Sequence, residues 1–156
     1  MMISRFAIAS MLSVLPSLAT GSLAAAETAS RYYIAGPVEA ELVSVIDGDT
    51  LVVNARPWPQ QTISVLVRIR GIDTPEIHAK CEKSRQLALA AKDVLTEALS
   101  AGDGRLSLSS ISGDKYFGRV VADVGFANGQ DAAAIMLAAG LARPYDGGRK
   151  AKDVCG

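Results

Sequence analysis

Between residues 62 and 70 the chain alternates, with Ile63, Val65, Val67 and Ile69 on one side and Leu66, Arg68 and Arg70 on the other. That two-residue period belongs to a strand with one buried face, and it turns both arginines away from the core. Shorter strand-like stretches lie at 39–46 and 50–55 before it and at 105–111 and 120–126 after it; in the last, Val120, Ala122, Val124 and Phe126 share a face. Over residues 84–101 the period lengthens to that of a helix. Leu87, Ala91, Val94, Leu95 and Ala98 form a narrow aliphatic stripe, stopped by Gly102. So narrow a stripe predicts packing on the chain's own core. Asp131 is placed to cap a second, alanine-rich helix over 132–139, ended by Gly140. Turns are expected at Asp47-Gly48-Asp49, over 112–119 and at Asn128-Gly129, with a loop over 56–61 that carries Pro57-Trp58-Pro59. The sum is an α+β fold: a curled five-stranded barrel with a helix between strands three and four and a short helix after strand five.

The first 26 residues follow another pattern. Arg5 precedes a mostly apolar run over 6–18, and Ala24-Ala25-Ala26 makes a small-residue cleavage site. The run is too short for a spanning helix and holds Pro16, which predicts a removed secretory signal over 1–26, no remaining anchor, and a secreted or periplasmic protein. Residues 27–38 read as a loosely attached lead-in and 39–156 as one domain. The 16 Lys and Arg balance the 16 Asp and Glu, so losing Arg5 leaves the mature chain slightly acidic. Non-specific nucleic-acid binders carry a positive excess; here a nucleic acid would need a local cationic cluster or a metal. Cys81 and Cys155 are expected to pair in an oxidising compartment, the alternative being two buried thiols. His78 alone cannot complete a zinc site with them.

The chemistry gathers at the end of the central strand. Gly71 ends the alternation, and Thr74 before Pro75 is biased to extended backbone, so 72–76 should be an irregular segment carrying Asp73 and Glu76 beside Arg68 and Arg70. Taken alone, such a stretch is a charged surface turn. Asp49, at the exit of the first turn, adds a second acidic element. Trp58 between two prolines reads as a packed loop cap rather than a base-stacking platform, and His78 as a solvated loop residue.

The strings IDGDT at 46–50, VRIRGIDTPE at 67–76, DKYFGR at 114–119 and GLA at 140–142 resemble, in order and spacing, those of the staphylococcal nuclease family. The resemblance spans roughly residues 39–145. It implies an oligonucleotide-binding (OB) barrel and a calcium-dependent phosphodiesterase that cuts DNA and RNA to 3′-phosphate ends. By position, Asp49 and Asp73 would ligate Ca²⁺ through carboxylates and Thr74 through its carbonyl. Glu76 would orient or deprotonate the attacking water, and Arg68 and Arg119 would bind the scissile phosphate. Tyr145 is a candidate for base stacking, or an ordinary packed tyrosine.

The residue types suit that chemistry independently of the name. Hydrolysis of a phosphodiester builds negative charge that planar guanidiniums and a hard cation stabilise. Two carboxylates and a carbonyl predict weak calcium binding, on the order of 10⁻⁴ to 10⁻³ M. Three features depart from the family: Phe117 is added to the usual DKYGR turn, the segment after Glu76 is compact, and the tail past Tyr145 is short. A Cys81–Cys155 bridge is expected to compensate for a missing final helix. The partner implied is a single-stranded DNA or RNA substrate, with a monomeric protein and no stable protein partner. The alternatives are a non-catalytic oligonucleotide-binding module on the same barrel and a protein whose charges merely pair with one another.

Overall fold

Leu51, Val53, Val67, Ile69, Leu108, Ala122 and Val124 are almost wholly withdrawn from solvent, and they come from four separate stretches of alternating sequence brought face to face. The computed structural model describes residues 33–148, 150 and 155, so the expected signal over 1–26 lies outside the described residues. The elements are β1 (Tyr33–Ile34), β2 (Val38–Asp47), β3 (Thr50–Trp58), β4 (Gln61–Ile69), β5 (Ile72–Asp73), α1 (Glu82–Ala101), β6 (Arg105–Gly113), β7 (Arg119–Phe126), α2 (Ala132–Ala138) and β8 (Arg143–Pro144).

Strands β2, β3 and β4 form an antiparallel meander; β7 lies parallel to β4, and β6 pairs with both β7 and β2. The last pairing closes a five-stranded mixed barrel, as the alternating stretches and the helix between them predict. Register shifts in β2 between Leu42 and Ser44 and between Val45 and Asp47, and in β6 between Ser109 and Ser112, supply the bends that closure needs. Helix α1 covers the barrel with Ala88, Ala91, Leu95 and Leu99, and α2 adds Ala132 and Met136. The cap expected at Asp131 is present: its side chain accepts a hydrogen bond from Ala134 N at 2.9 Å.

Four local expectations are corrected. The loop over 56–61 is instead the end of a hairpin, because β3 and β4 run on to a Trp58–Gln61 pair; Pro57 is tolerated where the register shifts and the ladder is interrupted. Trp58 is 56% exposed at that hairpin end rather than packed as a cap. Within the lead-in, Tyr33 and Ile34 pair with Ser112 and Ile111 of β6, since the bulged β6 has a free edge there. Finally, Ile72 and Asp73, expected to be irregular, pair with Pro144 and Arg143 of the tail.

Cys81, at the N-cap of α1, is joined to Cys155, 74 residues on. Cross-linking so long a loop restricts the unfolded chain, which by chain-entropy arguments is worth about 4 to 5 kcal/mol. Reduction, or Cys81→Ser with Cys155→Ser, is therefore expected to lower the melting temperature by many degrees in a thermal scan. An unchanged melting temperature would show that the bridge does nothing for stability.

Candidate active site

The site is built where β4 ends. Thr50 opens β3 directly opposite Arg68 of β4, so the Asp47-Gly48-Asp49 turn is carried to the mouth of the barrel beside Arg68. The turn is pulled inward by its own polar groups: Asp49 N donates to Asp47 Oδ1 at 3.0 Å, and Ile69 N donates to Asp49 O at 2.8 Å. Gly48 is required by close packing. A Cβ there would meet Ala91 Cβ of α1 at 2.6 Å and the Thr74 side chain at 3.0 Å.

Asp49 is buried, and both of its carboxylate oxygens are engaged. Oδ1 accepts from Arg68 Nη1 at 2.6 Å and from Thr50 Oγ1 at 3.0 Å, while Oδ2 accepts from Thr74 N at 3.1 Å. Arg68 Nη2 donates to Asp73 Oδ1 at 3.0 Å and to Ile72 O at 3.3 Å. One guanidinium thus spans both acids. Burial pushes the Asp49 carboxyl above its ordinary value; the positive charge of Arg68 opposes this without cancelling it, and Asp47 adds to the rise. Burial works against the charge on Arg68 as well, but Asp49 and Asp73 together hold its proton more firmly than usual.

Arg119 opens β7 beside Leu66 of the parallel β4, two positions before the partner of Arg68, so Arg119 and Arg68 share a face. The turn before it is closed by Asp114 N to Arg119 O and Arg119 N to Tyr116 O, both 3.2 Å. Arg119 Nε donates to Asp114, and its guanidinium lies 4.6 Å from the centre of the Tyr116 ring. Although burial acts the other way, Arg119 holds the Asp114 carboxyl below its ordinary value. The added Phe117 sits fully exposed at the tip of the turn, where Gly118 at φ 83° lets the chain return to β7.

Glu76 is exposed and ion-paired with Lys150, whose ammonium also contacts Asp73 Oδ1 at 3.0 Å. Despite partial burial, Glu76 and Asp73 keep the Lys150 ammonium more firmly protonated than a free lysine. Tyr145 packs its ring 5.7 Å from the Arg68 guanidinium; its N donates to Gly71 O at 2.9 Å and its hydroxyl to Gly148 O at 2.8 Å.

Arg68, Glu76, Arg119, Tyr145 and Lys150 line one open cleft of about 1600 Å³. Asp73, Thr74, Glu76, His78 and Lys150 border a second, of about 530 Å³, which shares Glu76 and Lys150 with the first. The structure therefore brings Asp49, Arg68, Asp73, Thr74 and Glu76 together, with Arg119 and Tyr145 on the same cleft. Cys81 and Cys155 join behind it, and Trp58 lies at the far end of β3 and borders neither cleft. His78 is exposed, as expected of a loop residue.

Two residues were not assigned from sequence. Lys150 lies in a tail without periodicity, and no local signal marks it. Arg70 was expected only to point outward; its guanidinium instead stitches β6 to β7, donating to Ser110 O, to Ser112 Oγ at 2.9 Å and to Val121 O at 3.0 Å.

The donor set around Arg68 consists of oxygens of like charge, the chemistry of a hard divalent cation such as calcium. Among the described residues no three His, Cys, Asp or Glu side chains converge, so the Thr74 carbonyl, water and substrate would have to complete any such shell. The family model described as staphylococcal nuclease homologue matches residues 66–154. No curated protein matches the chain.

Gly48→Ala should force the acidic turn away from α1 and Thr74. The expected cost is about 1 to 3 kcal/mol in urea denaturation, as for other overpacked sites. A variant as stable as the parent would mean that the turn relaxes without strain.

Proposed function

The chain belongs to the staphylococcal nuclease homologue family, a family of nucleases and nucleic-acid-binding proteins, and on that footing we propose that it is an exported, calcium-dependent nuclease that hydrolyses single-stranded DNA or RNA to 3′-phosphate ends. The observation that carries the reading is the Asp49–Arg68–Asp73 bridge at the edge of a cleft that Glu76 and Arg119 also line. The leader-like residues 1–26 support export.

The reaction follows from the residues in place. A guanidinium has five N–H donors, and Arg68 spends only some of them on Asp49, Asp73 and Ile72 O, so it can hold the acids and still meet a phosphate oxygen in the cleft. Arg119, steadied by Asp114 and the Tyr116 ring, faces the same cleft and neutralises the charge that grows on the phosphoryl oxygens. Glu76 accepts the proton of the attacking water as the water's oxygen bonds to phosphorus; the bond to the 5′ oxygen breaks, and that oxygen takes a proton from solvent in the open cleft to leave as a hydroxyl. When bound by Asp49, Asp73 and the Thr74 carbonyl, calcium would supply Lewis-acid charge and a template for the phosphate.

Digestion of single-stranded DNA by the purified protein tests this directly. Cleavage is expected with millimolar calcium, to stop with chelator, to be poor with magnesium, whose stricter octahedral demand the sparse donor set serves badly, and to fall about 10² to 10⁴-fold in Glu76→Gln. Folded protein that binds the oligonucleotide but never cuts it would make the chain a binding module instead.

The raised Asp49 carboxyl adds a pH signature. Without a cation the folded protein binds a proton there at a higher pH than the unfolded chain does, so this group's contribution to stability falls as pH rises from the ordinary value of 3.8 through the folded one. Wherever that proton is bound, calcium must displace it. Calorimetric titration in two buffers of different ionisation enthalpy should show proton release that grows as pH is lowered towards the ordinary carboxylate range, together with weakening affinity. Affinity independent of pH down to the ordinary carboxylate range would overturn the pairing of a raised Asp49 carboxyl with a role in holding calcium.

A further inference from the structure

Lys150, on the tail, belongs to neither the barrel nor a helix. Its Nζ contacts Asp73 Oδ1 at 3.0 Å and Glu76 Oε1, so a single ammonium joins a carboxylate assigned to the metal to the one assigned to the water. Arg68 Nη2 reaches the same Asp73 oxygen at 3.0 Å. An ammonium is a compact charge with three rotatable donors, and two carboxylates from one short segment are the partners it shares with a divalent cation. What places it there is not local secondary structure. Tyr145 is bonded to Gly71 O and packed against Arg68, Cys155 is joined to Cys81 at the start of α1, and Lys150 lies midway between these two anchors. Both anchors stand beside the 73–76 segment, one in the chain before it and one after it.

We propose that Lys150 is a tethered counter-cation that competes with calcium for Asp73 and masks Glu76, so that the C-terminal segment sets the calcium concentration at which the site is armed. The inference rests on the calcium reading of the site and adds to it a residue outside the motifs. With Lys150 in place, Glu76 is paired and cannot take a proton from water efficiently, and an ion reaching Asp73 must displace the ammonium. Lys150 also borders both clefts, so once displaced it has a substrate phosphate within the same space to pair with. Polyanion and calcium then each remove the lysine from the acids for the other, which couples their binding in the same direction. The Cys81–Cys155 link keeps the competitor local: an untethered lysine on a free tail would act at a far lower effective concentration.

Isothermal titration with calcium chloride alone, in the absence of nucleic acid, tests the competition without reference to catalysis. The proteins are the parent, Lys150→Met, Lys150→Arg and the paired Cys81→Ser, Cys155→Ser variant, each confirmed as folded by circular dichroism. Lys150→Met is expected to bind calcium roughly 2- to 5-fold more tightly, the scale of one partly exposed ion pair. Lys150→Arg should stay near the parent, because it keeps the charge. The cysteine variant should move part of the way towards Lys150→Met, although it is the less stable protein. Equal affinity in the parent and Lys150→Met would overturn the competition while leaving the calcium site intact. Tighter binding by Lys150→Met with no change in the cysteine variant would overturn the tether. No binding by any of the four would remove the calcium site and this inference with it.

Discussion

The architecture depends on the register of one parallel pair. β4 and β7 lie side by side with Leu66 opposite Arg119 and Ile69 opposite Ala122, so the first residues of β7 are placed against the last residues of β4. Parallel neighbours cannot be joined by a hairpin, and the chain between them makes α1 and β6 on the way. That detour covers the barrel, and the same register sets the arginine that begins one strand next to the arginine that ends the other. Had β7 paired one residue further along, every side chain on it would have changed face, and Arg119 would have pointed into Val67 and Ile69.

At the mouth so formed, the chain holds more negative charge than it comfortably can. Asp49 is buried with its oxygens filled by Arg68, Thr50 and Thr74, yet burial still outweighs the arginine. Such a group is tolerated only because its neighbours are fixed: Gly48 is pressed on Ala91, and Arg68 is held from behind by Tyr145. Removing Arg68 would leave Asp49 buried without a cation, while Asp73 would keep only the Lys150 ammonium. A buried pair broken in that way is far more costly than either partner's absence from solvent would suggest.

The outer half of the site is held by the tail. β8 pairs with β5, Tyr145 bonds to Gly71, and Cys155 returns to the start of α1, so the 72–76 segment, short and without a helix of its own, is braced on both sides. Ordering so short a segment costs backbone entropy that its own contacts do not repay. The tail supplies the missing contacts and brings Lys150 with it. Stability and control of the charge at Asp73 and Glu76 are in this way placed in the same stretch of chain.

Much of this was legible in the sequence, for a definite reason. Alternation at 62–70 and the aliphatic stripe at 84–101 are local consequences of which face is buried, and they determined β4, α1, the class of fold and the order of its parts. The short charged strings likewise determined which residue types gather at the end of β4, because Asp49, Arg68, Asp73, Glu76 and Arg119 stand next to turns whose glycines and prolines can be read directly. Pairing between distant segments leaves no such local mark. The β5–β8 ladder, the strand at Tyr33–Ile34, the exposed Trp58, the stitching by Arg70 and the ammonium of Lys150 across two acids were decided only in three dimensions. A periodic pattern reports that a face is covered, but the identity of the group that covers it depends on how the whole chain closes.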